Sequence, residues 1–205
     1  VIVLLLMMVL FGYLLGSVSF SYLIAKKIKK IDIRSTGSGN AGATNTMRLL
    51  GVGPAICVLL LDVLKGVVPV FLAMALTSDP LVHILAGLAA ILGHNWPIYF
   101  GFRGGKGVAT TIGVIATLMF YPALIAGVIA IASIIITRYV SLGSLLFAAF
   151  TPIVALLIWP LPFATYPLEY IYLSALLAIM SLWRHRTNVS RLLAGTESKL
   201  GKKHA

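Results

Sequence analysis

Acidic side chains are scarce in this sequence: five Asp and Glu stand against sixteen Lys and Arg over 205 residues. Sites that depend on carboxylates are excluded with them. No polar stretch holds the paired acids of glycoside chemistry or the acidic ligands that Mg²⁺ usually takes. The single cysteine, Cys57, rules out an internal disulfide framework and, without a Cys/His cluster, a thiolate metal centre. It is read as filler in an apolar span. No metal and no cofactor is expected. A nucleotide loop is also missing. Gly104-Gly105-Lys106-Gly107 has Phe100 where a Walker A motif needs its first glycine and Gly107 where it needs Ser or Thr.

What is abundant is apolar sequence. Hydrophobic residues make up 60% and charged residues 10%, and the mean hydropathy is +1.05. These values predict an all-α integral membrane protein, organised as a single domain over 1–205. The net charge of +11 then belongs to cytoplasmic loops facing anionic lipid, and no nucleic acid is expected as a partner. The opening run VIVLLLMMVL has no positive segment before it and is read as a first anchor, not a cleaved signal.

Residues 1–25 are read as the first span, ending at Lys26, Lys27, Lys29 and Lys30. The positive-inside rule puts that end in the cytoplasm and the N-terminus outside. A second span, 51–76, is interrupted by Asp62, Lys65, Gly66 and Pro69; Asp62 and Lys65 share a helix face and can pair. A third covers 81–100. The segment 108–137 crosses twice, turning near Tyr121-Pro122, and 142–160 and 166–183 cross once each. The total is about seven transmembrane helices with a cytoplasmic C-terminus. Trp96, Tyr99, Phe100 and Phe102 are read as one interfacial belt, and Trp159, Tyr166, Tyr170 and Tyr172 as the other. In the basic tail, Lys202 and Lys203 are expected to meet anionic lipid.

Polar backbone between such spans is costly, which draws attention to Gly37 to Arg48, GSGNAGATNTMR. Its glycines allow a turn that gathers N–H groups into one concavity, while hydroxyls, amides and a guanidinium add donors for a phosphate. The plain alternative is a solvated connecting loop. Gly104 to Gly107 offers a second cradle: glycine N–H groups, one ammonium and a helix expected to begin at Val108. Arg138 to Ser144 is read as a third cytoplasmic turn. Arg184, His185, Arg186, Asn188 and Arg191 crowd the start of the tail, followed by Glu197, its only acid. His94 is read as a hydrogen-bonded structural histidine. Taken together, these stretches suit two phosphorylated substrates.

GSGNAGATNTMR, GHNWPIYFGFRGGKGVAT and RHRTNVSRLLAGTE, in this order between these spans, resemble the three signature regions of the acyl-phosphate-dependent glycerol-3-phosphate acyltransferases, the PlsY family of bacterial inner membranes. The resemblance covers essentially the whole chain. It implies transfer of a fatty acyl group from acyl phosphate to the 1-hydroxyl of sn-glycerol 3-phosphate, giving lysophosphatidic acid and inorganic phosphate, with the site on the cytoplasmic face. It assigns Ser38, Arg48, Lys106, His185 and Asn188 to catalysis. Gly37, Gly39, Asn40, Thr44, Asn45, Gly104, Gly105, Gly107 and Ser141 are assigned to substrate binding, and Glu197 to bracing the fold. It also implies membrane lipid and an acyl-phosphate-producing enzyme as partners. None of His83, His94 or His185 opens the HxxxxD motif of acyl-CoA-type enzymes. The rival readings are a membrane carrier or channel for phosphorylated and other anionic metabolites, and a non-catalytic scaffold for anionic lipid. Mid-membrane polar sites and an internal repeat would mark the carrier, and neither is visible.

Overall fold

The computed structural model describes residues 2–201, and Lys202 and Lys203 lie outside them. The described residues hold helices and connecting turns with no strand, as expected. They form two compact units, one running to Thr117 and the other beginning at Leu118.

The first unit starts with α1 (Ile2–Gly16) and α2 (Phe20–Lys29). One span was expected here, and within it the chain breaks at Ser17–Ser19. Serine hydroxyls compete for helical carbonyls, and Ser17 Oγ does so by donating to Tyr13 O at 2.8 Å. Together the two pieces remain long and apolar enough to cross a membrane. The short α3 (Ala43–Leu50) ends at Gly51, whose φ of 90° lets α4 (Val52–Leu76) begin at once in a new direction. The second span, expected over 51–76, is α4, and it runs unbroken through Pro69. Its charges pair internally, with Lys65 Nζ 2.7 Å from Asp62 Oδ1 and both side chains buried. Removing one partner alone strands a buried charge, at a cost of about 3–5 kcal/mol.

Next come α5 (Pro80–Asn95), a 3₁₀ turn at Ile98–Phe100 and α6 (Val108–Leu118). Asp79 caps α5 by accepting from Leu81 N at 2.9 Å, with Pro80 at its first position. Small residues bring the backbones together. Gly12 and Gly16 of α1 lie against the Ala86 and Ala90 carbonyls of α5, and Gly93 of α5 lies against Tyr13 O. Between α4 and α6, Gly66 meets Thr110 O and Gly113 meets Val63 O. Lipid provides no hydrophobic drive between helices, so such close packing is what holds a unit of this kind together.

The second unit contains α7 (Phe120–Thr137), α8 (Val140–Ile158), α9 (Leu168–Arg184) and α10 (Arg186–Leu193). The segment 108–137 is two helices, as expected, but the break falls at Met119 and not at Tyr121-Pro122. Pro122 sits in the first turn of α7, where its missing N–H would have no helical partner anyway. The turn expected over Arg138–Ser144 is shorter: Arg138, at φ 64°, and Tyr139 make it, and Ser141 and Ser144 already lie in α8. Tyr170, expected at an interfacial belt, is buried on the same inward stripe of α9 as Leu173, Ser174 and Leu177.

The glycine contacts separate two kinds of substitution. A Cβ at Gly16 runs into the Ala90 backbone, whereas one at Gly127 in α7 meets open space. Gly16→Leu is expected to lower the thermal midpoint in detergent or to prevent accumulation. Gly127→Ala should stabilise by about 0.5–1 kcal/mol. A Gly16→Leu protein that melts like the wild type would contradict this packing.

Candidate functional site

After Lys30 the chain runs through an irregular segment, residues 31–42, seated on the unit by Ile33 and Ala41, which pack with Ala25. Its shape is set by Asn45. That buried side chain accepts from Ser38 N at 3.0 Å and donates to Ile33 O at 3.1 Å and Thr36 O at 3.0 Å. Gly37, at φ 64°, passes so close to Asn45 Oδ1 that any side chain there collides with it. Asn45 is thus spent on holding the loop, which leaves Gly37, Ser38 and Gly39 exposed at its tip and Asn40 half-buried.

Only the first half of the motif is a loop. A cradle over all twelve residues was expected, but from Ala43 the chain is α3, formed by the helix-favouring Ala43, Met47, Arg48, Leu49 and Leu50. This change adds a helix N-terminus, with unpaired first-turn N–H groups and a partial positive charge. Thr46 is buried and donates to Gly42 O at 3.0 Å. Thr44 and Arg48, four residues apart, share a half-buried face of α3.

Arg34 provides a second clamp that the sequence reading passed over. Its Nε and Nη2 bind the Asp32 carboxylate at 2.9 and 2.7 Å, its Nη1 donates to Phe100 O at 2.7 Å, and its guanidinium lies 4.8 Å from the Tyr22 ring centroid. Hydrogen bonding from Arg34 holds the Asp32 carboxyl down at about 2. The loop is therefore bolted to the 3₁₀ turn within the second motif, just ahead of Gly104 to Gly107. The one available signal was the Asp32-x-Arg34 spacing.

The second motif is packed backbone against backbone. Gly105 N donates to His94 O at 3.2 Å. No side-chain carbon fits at Gly104, which is enclosed by His94 O, Asn95 O and Pro97, or at Gly105, between His94 Nε2 and Ala41 O. Gly107 takes φ 79° beside Asn95 Oδ1, and α6 begins at Val108, as expected. Lys106 is half-buried. Ala41 belongs to the first motif, so both glycine motifs meet at the Ala41–Gly105 contact. The α3 and α6 N-termini open two and three residues beyond it.

In the second unit, Glu197 gathers three donors. Ser141 Oγ lies at 2.8 Å, Asn188 Nδ2 at 2.7 Å and Arg191 Nε at 2.7 Å. Burial pushes this carboxyl up, but the hydrogen bonds from Arg191, Asn188 and Ser141 outweigh it, and Glu197 ionises below the usual glutamate range. His185 is buried with Nδ1 2.9 Å from Ser181 O. A carbonyl only accepts, so Nδ1 carries a proton there and donates it to Ser181 O.

The family model for glycerol-3-phosphate acyltransferase matches residues 6–195. The chain belongs to the glycerol-3-phosphate acyltransferase family. It is 78% identical over 199 residues to the glycerol-3-phosphate acyltransferase of Shouchella clausii (strain KSM-K16), covering 96% of each chain. It is 64% identical over 200 residues to that of Halalkalibacterium halodurans, again covering 96% of each. Among solved structures it is similar to PlsY, an integral membrane glycerol 3-phosphate acyltransferase, in its glycerol 3-phosphate form, with TM-score 0.87, 39% identity and 96% coverage of both chains. The lysphosphatidic acid form of PlsY matches with TM-score 0.85 and 38% identity, covering 96% of this chain and 95% of that one. The acyltransferase expected from the three motifs is thus borne out at the level of family and enzyme class.

Glu197 has a folded value below its unfolded one, so its clamp contributes fully above the unfolded glutamate value of roughly 4.3 and is lost as pH falls through the folded value. Leu200 N, which donates to Arg138 O at 2.7 Å, reports on this closure. Its hydrogen-exchange protection factor is expected to drop on acidification below about pH 4 and to be low at every pH in Glu197→Gln. Equal protection in both proteins would contradict the clamp.

Proposed function

We propose that the chain transfers a fatty acyl group from acyl phosphate to the C1 hydroxyl of sn-glycerol 3-phosphate, releasing lysophosphatidic acid and inorganic phosphate. The observation that supports this reading is the Ala41–Gly105 contact, which brings the two glycine motifs together just ahead of the starts of α3 and α6. Its relatives are glycerol-3-phosphate acyltransferases, which supports the acceptor and the acyl transfer.

Acyl phosphate is a mixed anhydride with a good leaving group, so direct attack by the hydroxyl suffices. The new C–O ester bond forms as the acyl carbon–phosphate oxygen bond breaks, and the hydroxyl proton passes to a phosphate oxygen, whose second pKa is about 6. Arg48, Lys106, the Ser38 hydroxyl and the positive ends of α3 and α6 stabilise the charge growing on the carbonyl oxygen and the departing phosphate. Asn40 and Thr44 add polar contacts. Asn45 acts by shaping the loop. His185, Asn188 and Ser141 are assigned to activity through the resemblance, with Glu197 as their brace.

The proposed setting is the cytoplasmic face of the bacterial inner membrane, with one acyltransferase domain over 1–205 and an acyl-phosphate-producing enzyme as transient partner. Five helical segments are long and apolar enough to cross a membrane. Adding α6 and α9 gives seven crossings, N-terminus outside and C-terminus inside. At 11 residues α6 is only about 16 Å long, so this topology implies local thinning of the bilayer.

Purified protein given acyl phosphate and glycerol 3-phosphate should release phosphate and lysophosphatidate in equal amounts. Arg48→Ala and Lys106→Ala are each expected to cut turnover by about 100-fold or more in protein that remains folded. No lysophosphatidate above the protein-free rate would overturn the reading.

A further inference from the structure

We infer that Asp62, Lys65 and His94 form a buried positioning brace for the loop Gly104 to Gly107, setting acceptor affinity from beneath without touching substrate. This rests on the reading of that loop as the glycerol 3-phosphate cradle. The brace starts at the break between α1 and α2, where Lys65 Nζ donates to Val18 O at 2.8 Å. On its other side the same ammonium lies 2.7 Å from Asp62 Oδ1. That oxygen is 3.7 Å from His94 Nδ1. The opposite ring nitrogen, His94 Nε2, lies against Gly105, leaving no room there for a Cβ, and the His94 carbonyl accepts the Gly105 N–H at 3.2 Å. The sequence α1/α2 break, Lys65, Asp62, His94, Gly105 is thus one continuous line of contacts through the first unit.

All three side chains are buried, Asp62 and Lys65 at 2% exposure and His94 at 7%. Charge is costly at such depth, and a buried ion pair is no more stabilising than apolar residues of similar volume. Stability alone therefore gives no reason for an Asp, a Lys and a His to stand here. Orientation does. The His94 ring is the wall on which Gly105 rests, and the Asp62 carboxylate faces the opposite edge of that ring.

The test uses the full chain in detergent and measures kcat, KM for each substrate and the thermal midpoint. Asp62→Leu with Lys65→Met removes both charges together, and His94→Gln removes the ring while keeping a polar side chain of similar length. Each is expected to raise KM for glycerol 3-phosphate by about tenfold or more, as small displacements of a positioning group do. KM for acyl phosphate should stay within about twofold. The three changes combined should be no worse than either alone, because they break one brace. Where the double variant fails to fold, His94→Gln carries the test. A glycerol 3-phosphate KM at the wild-type value, or both KM values rising together with a fall in thermal midpoint, overturns the brace. Lys106→Ala, measured in parallel, separates the two levels. An unchanged glycerol 3-phosphate KM there overturns the cradle reading and the brace with it; a raised KM there, with normal brace variants, overturns the brace alone.

Discussion

Two backbone carbonyls, those of His94 and Ala41, close on Gly104 and Gly105 so tightly that neither glycine has space for a side-chain carbon. Contact at this range is a constraint on three separate stretches of chain. The end of α5 must stop where it does, the loop after Lys30 must fold back far enough to present Ala41, and the second motif must pass between them as bare backbone. Only then do the stretches that lead into α3 and α6 touch. A loop assembled this way leads rigid backbone into helix ends in place of flexible side chains. Preorganised dipoles of that kind stabilise a developing negative charge without reorganising during the reaction.

The rest of the first unit serves this constraint. Gly12, Gly16 and Gly93 let α1 and α5 touch along their backbones, which fixes the position of His94. Asn45 and Arg34 both hold the 31–42 segment, Asn45 through three hydrogen bonds and Arg34 through Asp32, Phe100 and Tyr22. Lys65 satisfies the carbonyl that the α1/α2 break releases at Val18. In the second unit Glu197 plays the corresponding part, gathering Ser141, Asn188 and Arg191 and bringing the tail back to Arg138.

Much of this was legible in the residues. Apolar runs located the membrane helices, and the 62/65 spacing foretold an ion pair, because both signals are local. The glycine motifs pointed to phosphate for the same reason. What was missed depends on distant partners or on competition between weak local preferences. Ser17 and Ser19 lie in a run apolar enough to read as one helix, and the break shows only when Lys65, 47 residues on, takes the freed carbonyl. Ala43 to Leu50 reads as polar loop because Thr44, Asn45 and Thr46 dominate by eye, yet its flanking residues favour helix. Arg34 looked like one more cytoplasmic cation, and its bond to Phe100 O spans 66 residues. Met119 carries no turn signal, while Pro122 nearby carries a strong one that belongs to a helix start.

Equilibrium binding of radiolabelled glycerol 3-phosphate to the purified full chain, without acyl donor, tests the backbone-built cradle most directly. Gly105→Ala adds one carbon where His94 and Ala41 leave no space. The account predicts acceptor affinity at least about tenfold weaker, with a lowered thermal midpoint in protein that keeps its helical content. Wild-type affinity in Gly105→Ala would contradict it.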